Sequence, residues 1–178
     1  MRTAKMLLPL LGMILCVGSI RLYAQQDDPA KDEQYRADYD RFQKMMTIKD
    51  AMKRGEEFVQ FLKDRPKSQL ETYILQNYYQ ILQEDNAQSK WDALALQSDA
   101  LVKVRPKAGE AYFFLGTALR QQNKLPEAMD ALAKCYVLKC PASDKARQFL
   151  EVIYKGAHGG KTTGLDALIE KARSAITG

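Results

Sequence analysis

From residue 32 onward, apolar positions recur at intervals of three and four, the spacing that lines one face of an α-helix. Tyr35, Tyr39, Phe42, Met45 and Met46 mark a first helix over 32–46. Ile48, Met52, Val59 and Leu62, flanked by Ala51, Phe58 and Phe61, mark a second over 48–63. It ends at Asp64-Arg65-Pro66, because a residue before proline avoids the helical region. Gly55 costs this helix roughly 1 kcal/mol against alanine, unless a neighbouring helix needs close approach there. Residues 70–83 carry Leu70, Tyr73, Ile74, Leu75, Tyr78, Tyr79, Ile81 and Leu82, apolar on more than one side, which predicts a helix covered on two faces. A polar turn over 84–88 leads to a partner helix from 89 or 90 to 104, with Trp91, Leu94, Ala95, Leu101, Val102 and Val104, which stops at Arg105-Pro106.

The next helix spans 109–122. Its partner starts near Leu125, with Pro126 in the first turn, where a missing N–H costs nothing, and Glu127 favourably placed at the positive end. Ala146, Phe149, Leu150, Ile153 and Tyr154 stripe a seventh helix, with Ser143 as its N-cap and Gly156 closing its C-terminus. Residues 156–162 read as loop. Thr163-Gly164-Leu165-Asp166 resembles a capping box with Asp in the acid position, opening a last helix over 165–176. Leu165, Leu168, Ile169, Ala172 and Ile176 give it an apolar stripe, and Glu170, Lys171, Arg173 and Ser174 an outer polar face.

The pattern repeats. Arg65-Pro66-Lys67 and Arg105-Pro106-Lys107 are 40 residues apart, and both follow an apolar helix end. Leu138-Lys139-Cys140-Pro141 is a third instance 35 residues on. The prolines divide the chain into helix pairs over 32–66, 68–106, 108–141 and 142–177, after a flexible lead-in over 25–31. In the third pair, Tyr112 is followed by Leu115-Gly116, Leu119, Ala128, Leu132, the small Cys135 and then Pro141. This resembles a tetratricopeptide repeat (TPR), a helix–turn–helix unit of about 34 residues that cannot bury its apolar face alone and needs neighbours of its kind. The likeness weakens over 68–106, where the loop is longer and Asn77 holds the small glycine slot. Over 32–66 it rests on helix pairing and the terminal proline, and over 142–177 the inter-helix loop is too long for the pattern. The expected fold class is all-α: a TPR-like helical solenoid of three to four helix pairs.

The resemblance implies a right-handed superhelix whose first helices line a concave groove. Carried onto the better-matched helices, the family's groove positions are Ile74, Tyr78 and Ile81, then Phe113, Thr117, Arg120 and Gln121. The competing reading is that these side chains pack or are solvated. Some family members clamp a partner's C-terminal carboxylate with Lys and Asn in these places; Phe113 and Thr117 stand there here, which favours a helix or extended peptide with apolar anchors.

The N-terminus adds an address. A basic start, fifteen uncharged residues over 6–20, and Arg21-Leu22-Tyr23-Ala24 before a polar run read as a secretory signal peptide over 1–24, cleaved after Ala24. An uncleaved membrane anchor is the alternative. Lipidation at Cys16 is disfavoured by the large Leu15 before it. The expected location is periplasmic or secreted, in a bacterial cell envelope. The chain has 178 residues, 46% hydrophobic and 28% charged, an ordinary globular mixture. Its formal charge is +5, but without Arg2, Lys5 and Arg21 there are 24 basic against 22 acidic residues, or +2. No basic cluster interleaved with aromatics suggests a nucleic-acid surface.

Candidate chemistry is sparse. Gly156-Ala157-His158-Gly159-Gly160-Lys161-Thr162 is one residue short of a phosphate loop and follows an amphipathic helix where such a loop follows a strand. His158, the only histidine, has no acid pair or Cys cluster near it in sequence and reads as a loop residue. Cys135 fills a packing slot. Cys140 is five residues on, and positions five apart on a helix are about 8 Å apart against a disulfide reach near 7 Å, so two unpaired thiols are favoured over a local disulfide. No cofactor, metal or small-molecule substrate is implied. The expected function is a non-catalytic adaptor for a segment of another envelope protein. The alternative is a structural subunit that self-associates or docks through its outer helical faces.

Overall fold

The computed structural model describes residues 29–177. The expected signal peptide over 1–24, with Cys16, and the expected lead-in up to residue 28 lie outside the described residues. Within them the chain is helical throughout: α1 (Pro29–Met46), α2 (Ala51–Asp64), α3 (Glu71–Ala87), α4 (Trp91–Val104), α5 (Gly109–Gln121), α6 (Leu125–Val137), α7 (Ser143–Ala157) and α8 (Leu165–Thr177). No described helix is long and apolar enough to cross a membrane.

Successive helices pack as the paired stripes require. α2 packs on α3 and α4, α4 on α3 and α5, and α6 on α5, α7 and α8. α3 also meets α5, and α5 meets α7. One continuous core runs through the array, with Phe58, Phe61 and Leu62 of α2, Ile74, Tyr78, Ile81 and Leu82 of α3, Leu94 and Leu101 of α4, and Leu132 of α6 almost wholly excluded from solvent. The expectation that α3 is covered on two faces holds.

α5 and α6 approach closely. A Cβ on Gly116 would stand 2.7 Å from Leu132 Cγ and 3.2 Å from the Ala128 carbonyl oxygen, so only glycine fits. Ala128, Ala131 and Ala133 keep the facing surface small, and all are buried. Gly55 has a similar reason. A Cβ there would collide with Oε1 of Gln97 on α4. The close approach that the glycine's helix penalty calls for is supplied by a buried polar side chain.

Repetition is visible in the backbone itself. Arg65 N–H donates to the Phe61 carbonyl and Arg105 N–H to the Leu101 carbonyl, each at 2.8 Å. Three residues on, Ser68 N–H returns to Arg65 and Ala108 N–H to Arg105. The side chains follow suit. Arg65 pairs with Asp38 of α1 at 3.2 Å, and Arg105 pairs with Glu71 of α3 and donates to the Leu62 carbonyl at 3.1 Å. Inside the pairs, the α3–α4 and α5–α6 turns match at an offset of 34 residues: Ser89 and Asn123 take φ values of 56° and 58°, and Lys90 N–H reaches the Asp85 carbonyl as Lys124 N–H reaches Leu119, both at 2.9 Å. The Lys139 turn differs: its left-handed residue, φ 53°, stands between α6 and α7, where the caps of the two arginine turns have φ values of −129° and −135°.

Several boundaries differ from the sequence reading. α1 begins at Pro29, inside the expected lead-in, and α3 continues to Ala87 through the expected polar turn. Ser143 is the first residue of α7, not its cap, and its Oγ donates back to the Cys140 carbonyl at 2.5 Å. Gly156 is helical. The left-handed close falls to Gly159, φ 60°, with Gly160 N–H returning to the Lys155 carbonyl at 2.8 Å. At α8, Leu165 is the first helical residue, which puts Gly164, φ 94°, and not Thr163 in the capping place. The Thr163 carbonyl accepts the Tyr154 hydroxyl at 2.7 Å, which holds the loop between α7 and α8.

Candidate partner-binding surfaces

Of the seven positions carried over from the repeat family, α3 contributes three that cannot meet a partner. Ile74, Tyr78 and Ile81 are 0–1% exposed. Tyr78 sits beside Phe58 of α2, ring centroids 6.5 Å apart, and its hydroxyl donates to the Gln97 carbonyl at 2.9 Å. Burial pushes the Tyr78 phenol well above its usual range, and the nearby Asp85 and Glu56 carboxylates push the same way. These residues are corrected from groove to core, because α2 and α4 close over the face on which they lie.

On α5, Phe113 and Thr117 are also buried. The Phe113 ring lies between Phe114 and Phe149 of α7, at 5.9 and 5.8 Å, and Thr117 Oγ1 donates to the Phe113 carbonyl at 2.9 Å. They too are corrected to packing residues. Arg120 and Gln121 do reach the surface. The Arg120 guanidinium lies 4.8 Å above the Phe149 ring, and the Lys145 ammonium stands 5.8 Å from the same ring. This edge of α5 and α7 is an aromatic patch already covered by two cations.

A larger surface lies elsewhere, where sequence reasoning had not looked. α4 and α6 stand apart over α5 and leave an open groove of about 840 Å³. Its apolar lining is Leu96 and Val102 of α4, Leu115 and Leu119 of α5, and Ala131 of α6. Leu96 is 60% exposed. Two ion pairs trim the rims, Lys103 with Asp99 at 2.6 Å and Lys134 with Asp130 at 2.8 Å. Gln122 donates to Asp92 at 2.8 Å beside the α5–α6 turn, and Lys171 of α8 also reaches the groove. The signal in the sequence was Leu96 itself, an apolar residue off the stripe made by Leu94, Leu101 and Val102.

The groups considered for chemistry are spoken for. The His158 ring stacks on Tyr154 at 3.9 Å, and its Nδ1 lies 2.8 Å from the Tyr154 carbonyl, which can only accept, so Nδ1 carries the proton. The Gly-rich loop around it spans two helices, with no strand before it. Burial, with Cys140 alongside, drives the Cys135 thiol strongly upward, so it rests as the neutral thiol. No cluster of three or more His, Cys, Asp or Glu poised for a metal ion occurs among the described residues. Compared with protein-family models, curated proteins and solved structures, the chain gave no match to any of the three.

Proposed function

We propose that this protein is a non-catalytic adaptor, a TPR-like solenoid of the bacterial cell envelope, exported by a signal peptide over 1–24. It holds a short amphipathic segment of another protein in the groove between α4 and α6. The observation that carries this reading is the groove: about 840 Å³, floored by α5 and lined by exposed Leu96. A concave apolar lining accepts the anchors of a helix or extended peptide. Four of the rim charges pair with one another, Lys103 with Asp99 and Lys134 with Asp130, which leaves the apolar lining to supply the anchors. The 34-residue match between the α3–α4 and α5–α6 turns supports the repeat assignment. A superhelical array would set α4 and α6 in equivalent places on either side of α5.

A second reading has its own support. α1 leaves Tyr35 and Tyr39 more than 40% exposed, stacked at 6.2 Å, with Met46 also exposed. An uncovered stripe at the end of an array is a place for a second copy or a larger complex to dock.

A photo-crosslinking residue at position 96, with and without Leu119→Glu across the groove, separates the two readings. The adaptor reading expects a discrete crosslinked envelope protein that is lost with the Leu119→Glu change while the helical circular dichroism is kept. A crosslink only to a second copy of the chain, or none above background, overturns it. Concentration-dependent self-association abolished by Tyr39→Asp favours the second reading.

A further inference from the structure

We propose that Cys135 and Cys140 are a thiol–disulfide exchange site, a dithiol that closes to a local disulfide at the α6–α7 turn when it meets a small disulfide oxidant. The ideal-helix spacing that separates these residues does not apply, because the helix has ended between them. Leu138 is the cap of α6, Lys139 takes the left-handed conformation at φ 53°, and Cys140 is the next residue. In a left-handed helix termination the second residue past the cap folds back over the third residue from the helix end. Here those two positions are Cys140 and Cys135, and their sulfurs are 3.2 Å apart. A disulfide bond needs about 2.05 Å, so closure asks each sulfur to move by well under an ångström.

The surroundings fit exchange. Gly109 leaves room for the turn: a Cβ there would be 2.7 Å from Cys140 Cβ and 3.2 Å from its Sγ. Cys135 is fully buried, whereas Cys140 is half-buried and opens on two clefts of about 390 and 270 Å³. The two thiols therefore have different parts. Cys140, as thiolate, attacks one sulfur of the oxidant R–S–S–R, forms Cys140–S–S–R and releases RS⁻. Cys135 Sγ, already within reach, then attacks Cys140 Sγ as its proton passes to the first released RS⁻. That bond forms as the bond to R breaks, and the second RS⁻ leaves. The two thiol protons end on the two RSH, and the dithiol has lost the two electrons that the oxidant gained. The Cys140 carbonyl accepts from both the Ser143 N–H, at 2.9 Å, and its hydroxyl. The bond would therefore tie the end of α6 to the start of α7.

The full chain, reduced and then exposed to oxidised glutathione, is alkylated under denaturing conditions and mapped with trypsin. Cleavage after Lys139 separates the two cysteines, so peptides holding Cys135 and Cys140 stay joined only through the disulfide. The expected result is that linked pair, an intact mass lower by about 2 Da, and reversal by dithiothreitol. Cys135→Ser is expected to stall with glutathione retained on Cys140, and native Cys140→Ser to take up glutathione at Cys135 at least tenfold more slowly than wild type takes it up at Cys140. Two alkylated thiols, glutathione retained on wild-type Cys140, or a bond from either residue to Cys16 would overturn the proposal. The wild-type map gives this answer even if a variant does not fold.

Discussion

At Gly55 a single missing methyl decides how two helices meet. The facing Gln97 is 4% exposed, and its Nε2 donates to Asp85 at 2.6 Å, while its Oε1 has no hydrogen-bond partner. Burial raises the Asp85 carboxyl above its ordinary value, with Lys90 and the Gln97 bond pulling it down and Glu84 pushing it up. A Gly55→Ala change would gain about 1 kcal/mol in helix propensity, but it forces Gln97 aside and strains its bond to Asp85, a loss of about 1–3 kcal/mol. The expected net result is destabilisation by about 1 kcal/mol in urea unfolding. Gln97→Ala should cost less in the Gly55→Ala background than in wild type, and strict additivity would contradict the clash. The sequence posed the question, since a helical glycine asks for a close neighbour, but it did not hold the answer. Gln97 lies 42 positions on, and nothing in its local pattern marks a buried amide. The groove positions carried over from the repeat family, Ile74, Tyr78, Ile81, Phe113 and Thr117, met the same gap and are buried. Periodicity shows that a residue faces something apolar, not whether that something is this chain or a partner.

Whole helices were far more legible, because each stripe must be buried somewhere and each proline stops a helix. All eight helices lie where their periodicity places them, with ends displaced by a few residues. The displaced ends are informative. Ser89, Asn123 and Lys139 adopt left-handed geometry without being glycine, a choice that costs about 1 kcal/mol or more and leaves no mark in composition. Hence α3 looked shorter than it is, and the third proline turn looked like the first two. The α5–α6 hairpin is the opposite case, since the Leu115-Gly116 signature named its contact. Gly116→Ala would drive a methyl into Leu132, which is fully buried and cannot retreat, and into the Ala128 carbonyl. Thermal and urea unfolding should show a loss of about 1–3 kcal/mol, despite the better helix propensity of alanine. A stabilised variant would mean that α5 and α6 are not held at this distance.

Across the molecule, cohesion is uneven, and the order of helices along the chain predicts where. A linear array gives each helix contacts mainly with its neighbours, so stability is locally assigned. α6 is the centre of the C-terminal half: α5, α7 and α8 all pack on it, and Leu132, Cys135, Leu150 and Leu165 are at most 2% exposed. Among the described residues α1 is the outlier: its one substantial helix contact is with α2, and Met45 is its one apolar side chain described as buried. Besides Met45 and the Phe42 ring, which stacks on Phe58 at 6.4 Å, its ties are polar: Asp38 accepts from Ser68 at 2.6 Å and pairs with Arg65, and Arg41 pairs with Asp64 at 2.8 Å. So few apolar contacts let α1 open with little disturbance of the core. Native-state hydrogen exchange should therefore grade along the chain, fastest in α1 and slowest in α5 and α6, whose amides open only with the bulk of the array. Ser68→Ala removes one bond to Asp38 and should accelerate exchange in α1 while leaving α5 and α6 unchanged. Equal slowing across all helices would show a single cooperative unit, and faster exchange in α6 than in α1 would contradict the packing order.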